Sequence, residues 1–540
     1  MPVFGEETFE LPIFGGLGIT DRPTDTLCPQ LTNLLMSAEK EYRIREDFVL
    51  IQRTTKTPIA IGVAQPIPRT LFENNMEVFT AVGIETADTP TIMQFFDDGT
   101  TRDCKWLNCN AITPTSVVQT LPAGYGVKAF CQYKDRYYAS NGTTAGKIFR
   151  ISNFVAAGGA LTCTDLNTIT KGVDIMLTFR SRVFGIKKNR IYYTDLPAIG
   201  LYPEVWNETI NFIDIPSVDF DVTVYNAFVY RDKIYMFTDK GIYVLSVNGA
   251  PVNWSIQPVS TNFPIYDRDS VCLNKNMIFL TDQQSVTMFD GSAFKPVSNN
   301  IRSIFHNNQS SYCWFSIYPW EDGVVLVRNS FNAPAGSYTR SVNANSNKKI
   351  LYFNMLIWAE LDFGDSYWAT IKAGRSLLPY RGKIASSWLC GVTSATDQSI
   401  YFYDSGYWKG DCANSTDHIG GTRSKKPVVL ETPAPFLKSR SFKKYKYVDI
   451  YGYLNDLNSG SNLRFNNELV TAGDKGKSVF KAPISDILGS QFKGTPTTPL
   501  IISGVVDTSL SGLPNDPPFL IIGVDLIYNQ DNRGRDGMGM

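Results

Sequence analysis

RSRVFGIKKNRIYYTD, residues 180–195, decides the fold. A polar turn opens it, an apolar and aromatic run follows, a Lys-Lys-Asn turn reverses the chain, and a second run closes on Thr-Asp. Runs of this length, rich in Val, Ile, Tyr and Phe and bounded by turn residues, read as paired β-strands. The same unit recurs. KDRYYAS (134–140) precedes KIFRI (147–151), RDKIYMFTD (231–239) precedes GIYVLSV (241–247), and KNMIFLTD (275–282) precedes SVTMFDG (285–291). Weaker copies are MEVFTAVG with TIMQFFDDG (76–99), DGVVLVR with KKILYFN (322–354), and RGKIASSWLCG with SIYFYDSG (381–406). The units begin about 45–60 residues apart, a period that signals propeller blades. One four-stranded blade cannot bury both its faces alone, whereas a ring of blades buries each face against a neighbour and leaves only short edges.

The sequence therefore predicts an all-β chain built on a β-propeller of six to eight blades, with seven favoured. It carries no WD dipeptide at a blade end, no kelch Gly-Gly doublet in register and no complete sialidase-type Asp box. Phe184, Tyr192, Ile234, Tyr235, Phe237, Ile278, Phe279 and Phe289 are the expected inter-blade core. Residues 1–65 read as an N-terminal arm, 66–430 as the propeller and 431–540 as a C-terminal β-rich, sandwich-like platform domain. Within the arm, TLCPQLTNLLMSAEK (26–40) places Leu31, Leu34 and Leu35 at helical spacing and predicts a short helix. The final DNRGRDGMGM is polar and Gly-rich, the composition of a tail that is mobile or pinned only by a partner.

Composition narrows the function. Of 540 residues 43% are hydrophobic and 13% aromatic, enough for a large core, and Lys+Arg equals Asp+Glu at 51 each. A general nucleic-acid binder is usually clearly basic, so this balance argues against one. Two histidines, His306 and His418, are too few for a multi-histidine metal site. The nine cysteines are scattered, with no CxxC pair and no zinc spacing, and read as small buried thiols of a reducing compartment. The N-terminus lacks the basic and apolar regions of a signal peptide, and no apolar run approaches the roughly 18 residues of a membrane span. The expectation is a soluble chain made in the cytoplasm.

Searches for chemistry return little. There is no GxSxG elbow, HExxH helix, P-loop or Rossmann glycine pattern. GGLG (15–18) has no strand before it or helix after it, and reads as a bend. Asp97, Asp98, Asp195, Asp214, Asp221, Asp239, Asp282 and Asp290 follow strands of the repeat, where Asp closes turns. Two of them at one mouth could also cleave a glycoside. No catalytic residue, cofactor or metal is expected. The densest charge is basic: Arg423, Lys425 and Lys426, then Lys438, Arg440, Lys443, Lys444 and Lys446. Lys on an edge strand blocks unwanted pairing. The same five residues, Lys438 to Lys446, are also the candidate intersubunit or channel-facing strand, since interleaved basic and aromatic residues suit contacts with acidic surfaces or single strands.

Several segments together resemble a known family. Phe14-Gly15-Gly16-Leu17 with Asp21, Pro23 and Asn33 opens the chain. Arg182-Val183-Phe184-Gly185, Ile191-Tyr192-Tyr193-Thr194-Asp195 and Trp206 form a central unit. Ile278-Phe279-Leu280-Thr281, Met288-Phe289-Asp290-Gly291, Pro296 and Ser298 form a later one, and Phe442-Lys443-Lys444-Tyr445-Lys446-Tyr447 leaves the ring. In this order they resemble the β-propeller tail nozzle and head-to-tail hub proteins of short-tailed bacteriophages, most strongly over residues 176–298. The resemblance implies a structural virion protein of the tail with no catalytic residue. It implies a homo-oligomeric ring of six copies around the DNA exit channel, attached to an adaptor above and to fibres or a needle. Genome DNA would pass through without specific binding. The alternatives from other classes are a glycan-binding or polysaccharide-cleaving propeller and an intracellular interaction propeller.

Overall fold

The computed structural model describes residues 6–10, 16–17, 28, 30–37, 40–44, 47–54, 76–80, 90–97, 102–108, 115–142, 146–154, 158–166, 172–216, 221–265, 267–282, 284–306, 312–331, 349–362, 370–376, 386–392, 398–404, 425–431, 442–454, 462, 464–465, 468–469, 479–483, 501–507 and 519–531. Each repeat unit supplies two adjacent strands of an antiparallel four-stranded group, the two middle ones in every group but the first, where Met76–Thr80 is the edge strand. In chain order these groups span residues 76–120, 129–165, 175–214, 224–260, 271–296, 312–362 and 370–404, and the last is completed by Asp47–Thr54 from the N-terminal arm. The first strands of successive groups lie side by side. Ala129–Tyr133 touches Ile175–Phe179, which touches Val224–Tyr230, while Val271–Asn274 touches Tyr312–Trp320, which touches Thr370–Ser376. Sheets that meet along their first strands are the blades of a β-propeller.

Hydrophobic alternation explains the stacking. Tyr138, Ile148, Met176, Val183 and Tyr192 share the core between the second and third sheets. Residues of opposite parity, Phe184, Ile186 and Ile191, turn to the next face and meet Ile234, Met236 and Leu245 of the fourth sheet. Tyr235, Phe237 and Ile242 then pack on Ile278, Leu280 and Phe289 of the fifth. All eight expected core residues are buried. The hairpins between first and second strands use backbone of left-handed sense, with φ of 46° and 60° at Arg180 and Ser181 and the same values at Arg231 and Asp232. Positive φ at both turn residues matches the right-handed twist of the strands. These turns also tie neighbours together, since Arg180 pairs with Asp232 and Lys275 with Asp322.

Residues 26–40 correct the sequence reading. In place of a helix, Gln30–Thr32 and Leu34–Met36 are strands separated by Asn33 at φ 55°. Gln30–Thr32 pairs antiparallel with Lys425–Glu431, and Thr32 pairs in parallel with Glu360 of the sixth sheet. Those pairings override a weak helical spacing. The result is a nine-stranded sheet that runs from Tyr312–Trp320 through Gln30–Thr32 to Ile501–Asp507 and beyond. A second sheet joins Leu34–Met36, Tyr42–Ile44, Phe519–Asp531, Phe442–Leu454 and Val479–Pro483, with Glu6–Glu10 also paired to Phe519–Asp531. One core, including Leu31, Leu34, Tyr42, Phe279, Phe315, Trp358, Leu430, Ile502 and Ile521, spans the arm, two blades and the C-terminal strands.

Phe279 sits in that shared core with no exposed surface. Phe279→Ala is expected to cost about 3–5 kcal/mol, read as a lowered urea midpoint of the whole chain; an unchanged midpoint would count against the shared core.

Candidate functional site

The basic strand predicted from sequence is divided by what the structure describes. Lys438 and Arg440 lie outside the described residues. Lys443, Lys444 and Lys446 fall on Phe442–Leu454, which runs antiparallel to Phe519–Asp531. Lys443 is opposite Gln530 and Lys444 opposite Asn529, and Lys446 occupies a bulge between Tyr445 and Tyr447. On the other side, Val479–Pro483 begins to pair only at Tyr447. Among the described residues, then, the segment carrying the three lysines pairs along one edge. Across Phe519–Asp531 lies Glu6–Glu10, with Glu6 opposite Asn529 and Glu10 opposite Asp525.

The motifs behind the family resemblance have structural tasks. The Arg182 guanidinium donates to the carbonyl of Thr194, and Thr194 Oγ1 accepts the Val183 N–H at 3.0 Å. Thr194 also bridges to buried Trp206, and Asp195 accepts a hydrogen bond from Asn211 Nδ2 at 2.8 Å. In the later unit, Ser298 Oγ accepts the Val286 N–H at 2.8 Å, while Trp358 Nε1 donates to the Val297 carbonyl at 2.6 Å. Turn carboxylates behave as turn residues. Asp282 accepts from the N–H groups of Gln284 and Ser285. Asp290 accepts from Ala293 N–H and from the hydroxyl and N–H of Ser292, which hold its carboxyl down at about 2. Asp97 lies in a strand of the first sheet, Asp98 outside the described residues, Asp214 pairs with Arg190, and Asp239 accepts the Thr223 N–H.

Burial raises the thiols of Cys28 and Cys163 to about 12, and those of Cys131 and Cys272 also upward. At such values they are poor nucleophiles. His306 ends the short helix Arg302–His306, and His418 lies outside the described residues. Among the described residues no group of three His, Cys, Asp or Glu could hold a metal ion, and no helix is long and apolar enough to cross a membrane. A cavity of about 290 Å3 lies against the first strands of the second, third and fourth sheets, lined by Phe130, Met176, Leu177, Asn226, Phe228 and Arg268. Arg268 Nη1 reaches across to the Lys128 carbonyl at 3.3 Å.

Sequence reasoning missed one feature, the connection between the last two strands of the third sheet, LPAIGLYPEV (196–205). Leu196, Ile199, Leu201 and Val205 are exposed, Ile199 completely. Its polar groups are turned toward the second sheet instead. Glu204 pairs with Arg136, with Arg150 at 3.1 Å and with the Tyr138 hydroxyl at 3.1 Å. The Tyr202 hydroxyl donates to Asp135 at 2.7 Å, and the Arg136 guanidinium stacks over the Tyr202 ring at 3.4 Å. The signal was present as a run of apolar residues between two prolines without the alternation of a strand.

No protein-family model matches the chain, and no curated protein matches it. Among solved structures it is similar to the WD40 domain of a Toxoplasma gondii coronin, at 10% identity over 71% of this chain and 93% of that one, with a TM-score of 0.36. The WD40 β-propeller domain of Doa1 matches at 8% identity over 67% and 98%, with a TM-score of 0.34. The extracellular domain of a putative hybrid two-component system from B. thetaiotaomicron matches at 8% identity over 91% of this chain and 62% of that one, with a TM-score of 0.40.

Burial pulls the Glu204 carboxyl upward, but its hydrogen bonds from Arg136, Arg150 and Tyr138 outweigh that, and its pKa falls below the ordinary 4.5. A lowered pKa contributes stability that is present above 4.5 and lost as pH falls through the folded-state value. Glu204→Gln is expected to cost about 1 kcal/mol at neutral pH, since the network is partly solvated. In urea melts the gap between variant and wild type should narrow as the pH falls below 4.5 and vanish once Glu204 is protonated in the folded state. A gap unchanged by acid would mean that the charge of Glu204 contributes nothing.

Proposed function

We propose that the chain is a structural subunit of a short-tailed bacteriophage tail, a seven-bladed propeller joined to a platform built from both chain ends. Six copies form a ring below the adaptor, surround the DNA exit channel, and carry fibres or a needle. The observation that carries this reading is the shared core of arm, fifth and sixth sheets and C-terminal strands. Force applied to such a platform is transmitted directly into the propeller, as a conduit under internal pressure requires. The family resemblance of residues 176–298 supports the same reading, because its motif residues act as clamps between strands.

The cavity against the first strands of the second, third and fourth sheets, about 290 Å3 and lined in part by Arg268, is far too small for duplex DNA, whose major groove alone is about 12 Å wide. In this reading the genome therefore passes between copies, along a wall that binds it weakly and with strong salt dependence. The glycan-cleaving alternative needs two free carboxylates at one mouth. Asp282 and Asp290 are each occupied by turn N–H groups, which favours the structural reading.

Quantitative mass spectrometry and imaging of purified phage particles test the proposal. The protein should be present in multiple copies as a ring at the tail. Its absence from particles, or its presence as a single copy, would overturn the reading.

A further inference from the structure

Among the described residues, the second terminal sheet holds two edges that pair with no further strand, one acidic and one basic in sequence, on either side of one strand. Glu6–Glu10, EETFE, pairs with Phe519–Asp531 by one edge, and among the described residues its other edge meets no strand. On the far side of Phe519–Asp531, the segment FKKYK (442–446) is likewise paired by one edge only, because Val479–Pro483 stops opposite Tyr447. The registers place the two edges level: Glu6, Asn529 and Lys444 form one row, and Glu7, Tyr528 and Tyr445 the next. The ribbon thus has a strand with three glutamates in its sequence at one border and a segment with three lysines at the other.

We propose that these borders pair between copies, the Glu6–Glu10 edge of one chain adding to the Phe442–Lys446 edge of the next. This deepens the ring reading and rests on it. An exposed strand edge is a template for another strand, and main-chain hydrogen bonds supply the affinity once the charges agree. Charge selects the partner. Two basic edges repel, as do two acidic ones, so the isologous dimer is disfavoured and the head-to-tail contact is the attractive one. A heterologous contact of this kind closes into a ring or grows into a filament, according to its rotation. Direction follows as well. Both Glu6–Glu10 and Phe442–Leu454 are antiparallel to the strand between them, so they run parallel to each other. A neighbour brought alongside by a modest rotation continues the sheet with a parallel junction.

The test is charge reversal in the full chain, read by light scattering at low salt, with circular dichroism to check that each variant retains its β-structure. The wild type should form a multimer. The triple variant K443E/K444E/K446E should fall to the monomer mass, as should E6K/E7K/E10K. Equimolar mixing of the two should restore the multimer, because each then offers the other a complementary edge. A second measurement avoids dependence on the triple variants: a chain carrying both Glu7→Cys and Tyr445→Cys should form intermolecular disulfide ladders under mild oxidation. A multimer that persists in either reversal variant without such ladders overturns the edge pairing while leaving the ring intact through another surface. A wild type that stays monomeric at every concentration overturns it too, and the ring reading then stands or falls on the particle measurement. Loss of single-stranded oligonucleotide binding in K443E/K444E/K446E, with the multimer unchanged, would assign the basic edge to nucleic acid instead.

Discussion

A strand of three residues, Gln30–Thr32, holds the terminal regions to the propeller. It lies between Trp358–Asp362 of the sixth sheet and Lys425–Glu431 of the C-terminal region, parallel to the first and antiparallel to the second. Leu31 has no exposed surface, and the Thr32 hydroxyl donates to Glu360 Oε1 at 2.8 Å. Asn33, at φ 55°, donates its N–H to the Glu360 carbonyl at 2.7 Å and then sends the chain into the other sheet. Asn is among the few side chains that adopt this backbone conformation readily. Without that strand the nine-stranded sheet would separate into a blade and an isolated C-terminal hairpin system, each with an uncovered edge.

Cohesion in the propeller has a different origin. Between the second and fifth sheets it comes from apolar faces of strictly alternating parity, so that Tyr192 and Phe184, both in the third sheet, serve different neighbours. Ion pairs between the turns, such as Arg180 with Asp232, are solvated and contribute at most about 1 kcal/mol each. They set the angular register of adjacent blades more than they hold them. Added salt should therefore affect the folded propeller little, because burial of apolar surface is not screened by ions.

The parts legible in the sequence were those whose partners lie close along the chain. Arg182–Lys187 pairs with Arg190–Tyr193 across a two-residue turn, and its apolar periodicity announces the strand without knowledge of anything else. The same holds for the pairs around Phe237 and Phe279. The pairing of Thr32 with Glu360, or of Asp47–Thr54 with Gln398–Asp404, joins residues more than three hundred positions apart and leaves no local trace. The supposed helix over 26–40 failed for that reason: three leucines suit either a helical face or short strands, and only distant partners choose between them. The basic strand was visible as composition, but its acidic counterpart, EETFE, is unremarkable until the registers bring it level with Lys444.

A propeller whose last sheet is completed by a strand from the other end of the chain gains closure at the expense of free ends. Asp47–Thr54 ties the seventh sheet to the arm, so the segment before residue 47 and the segment after residue 404 leave from neighbouring places. Two segments that emerge together are well placed to pair with each other, and they do so through the core that contains Leu34, Tyr42, Leu430 and Ile521. Among the described residues their sheet is open, its order running from Leu34–Met36 on one side to Val479–Pro483 on the other. Open edges are either defended or used. Lysines alone would serve as defence. A lysine-bearing strand on one border and a glutamate-bearing strand on the opposite border, in register across a single strand, differ from each other, and two different surfaces are what a head-to-tail contact, unlike an isologous one, would require.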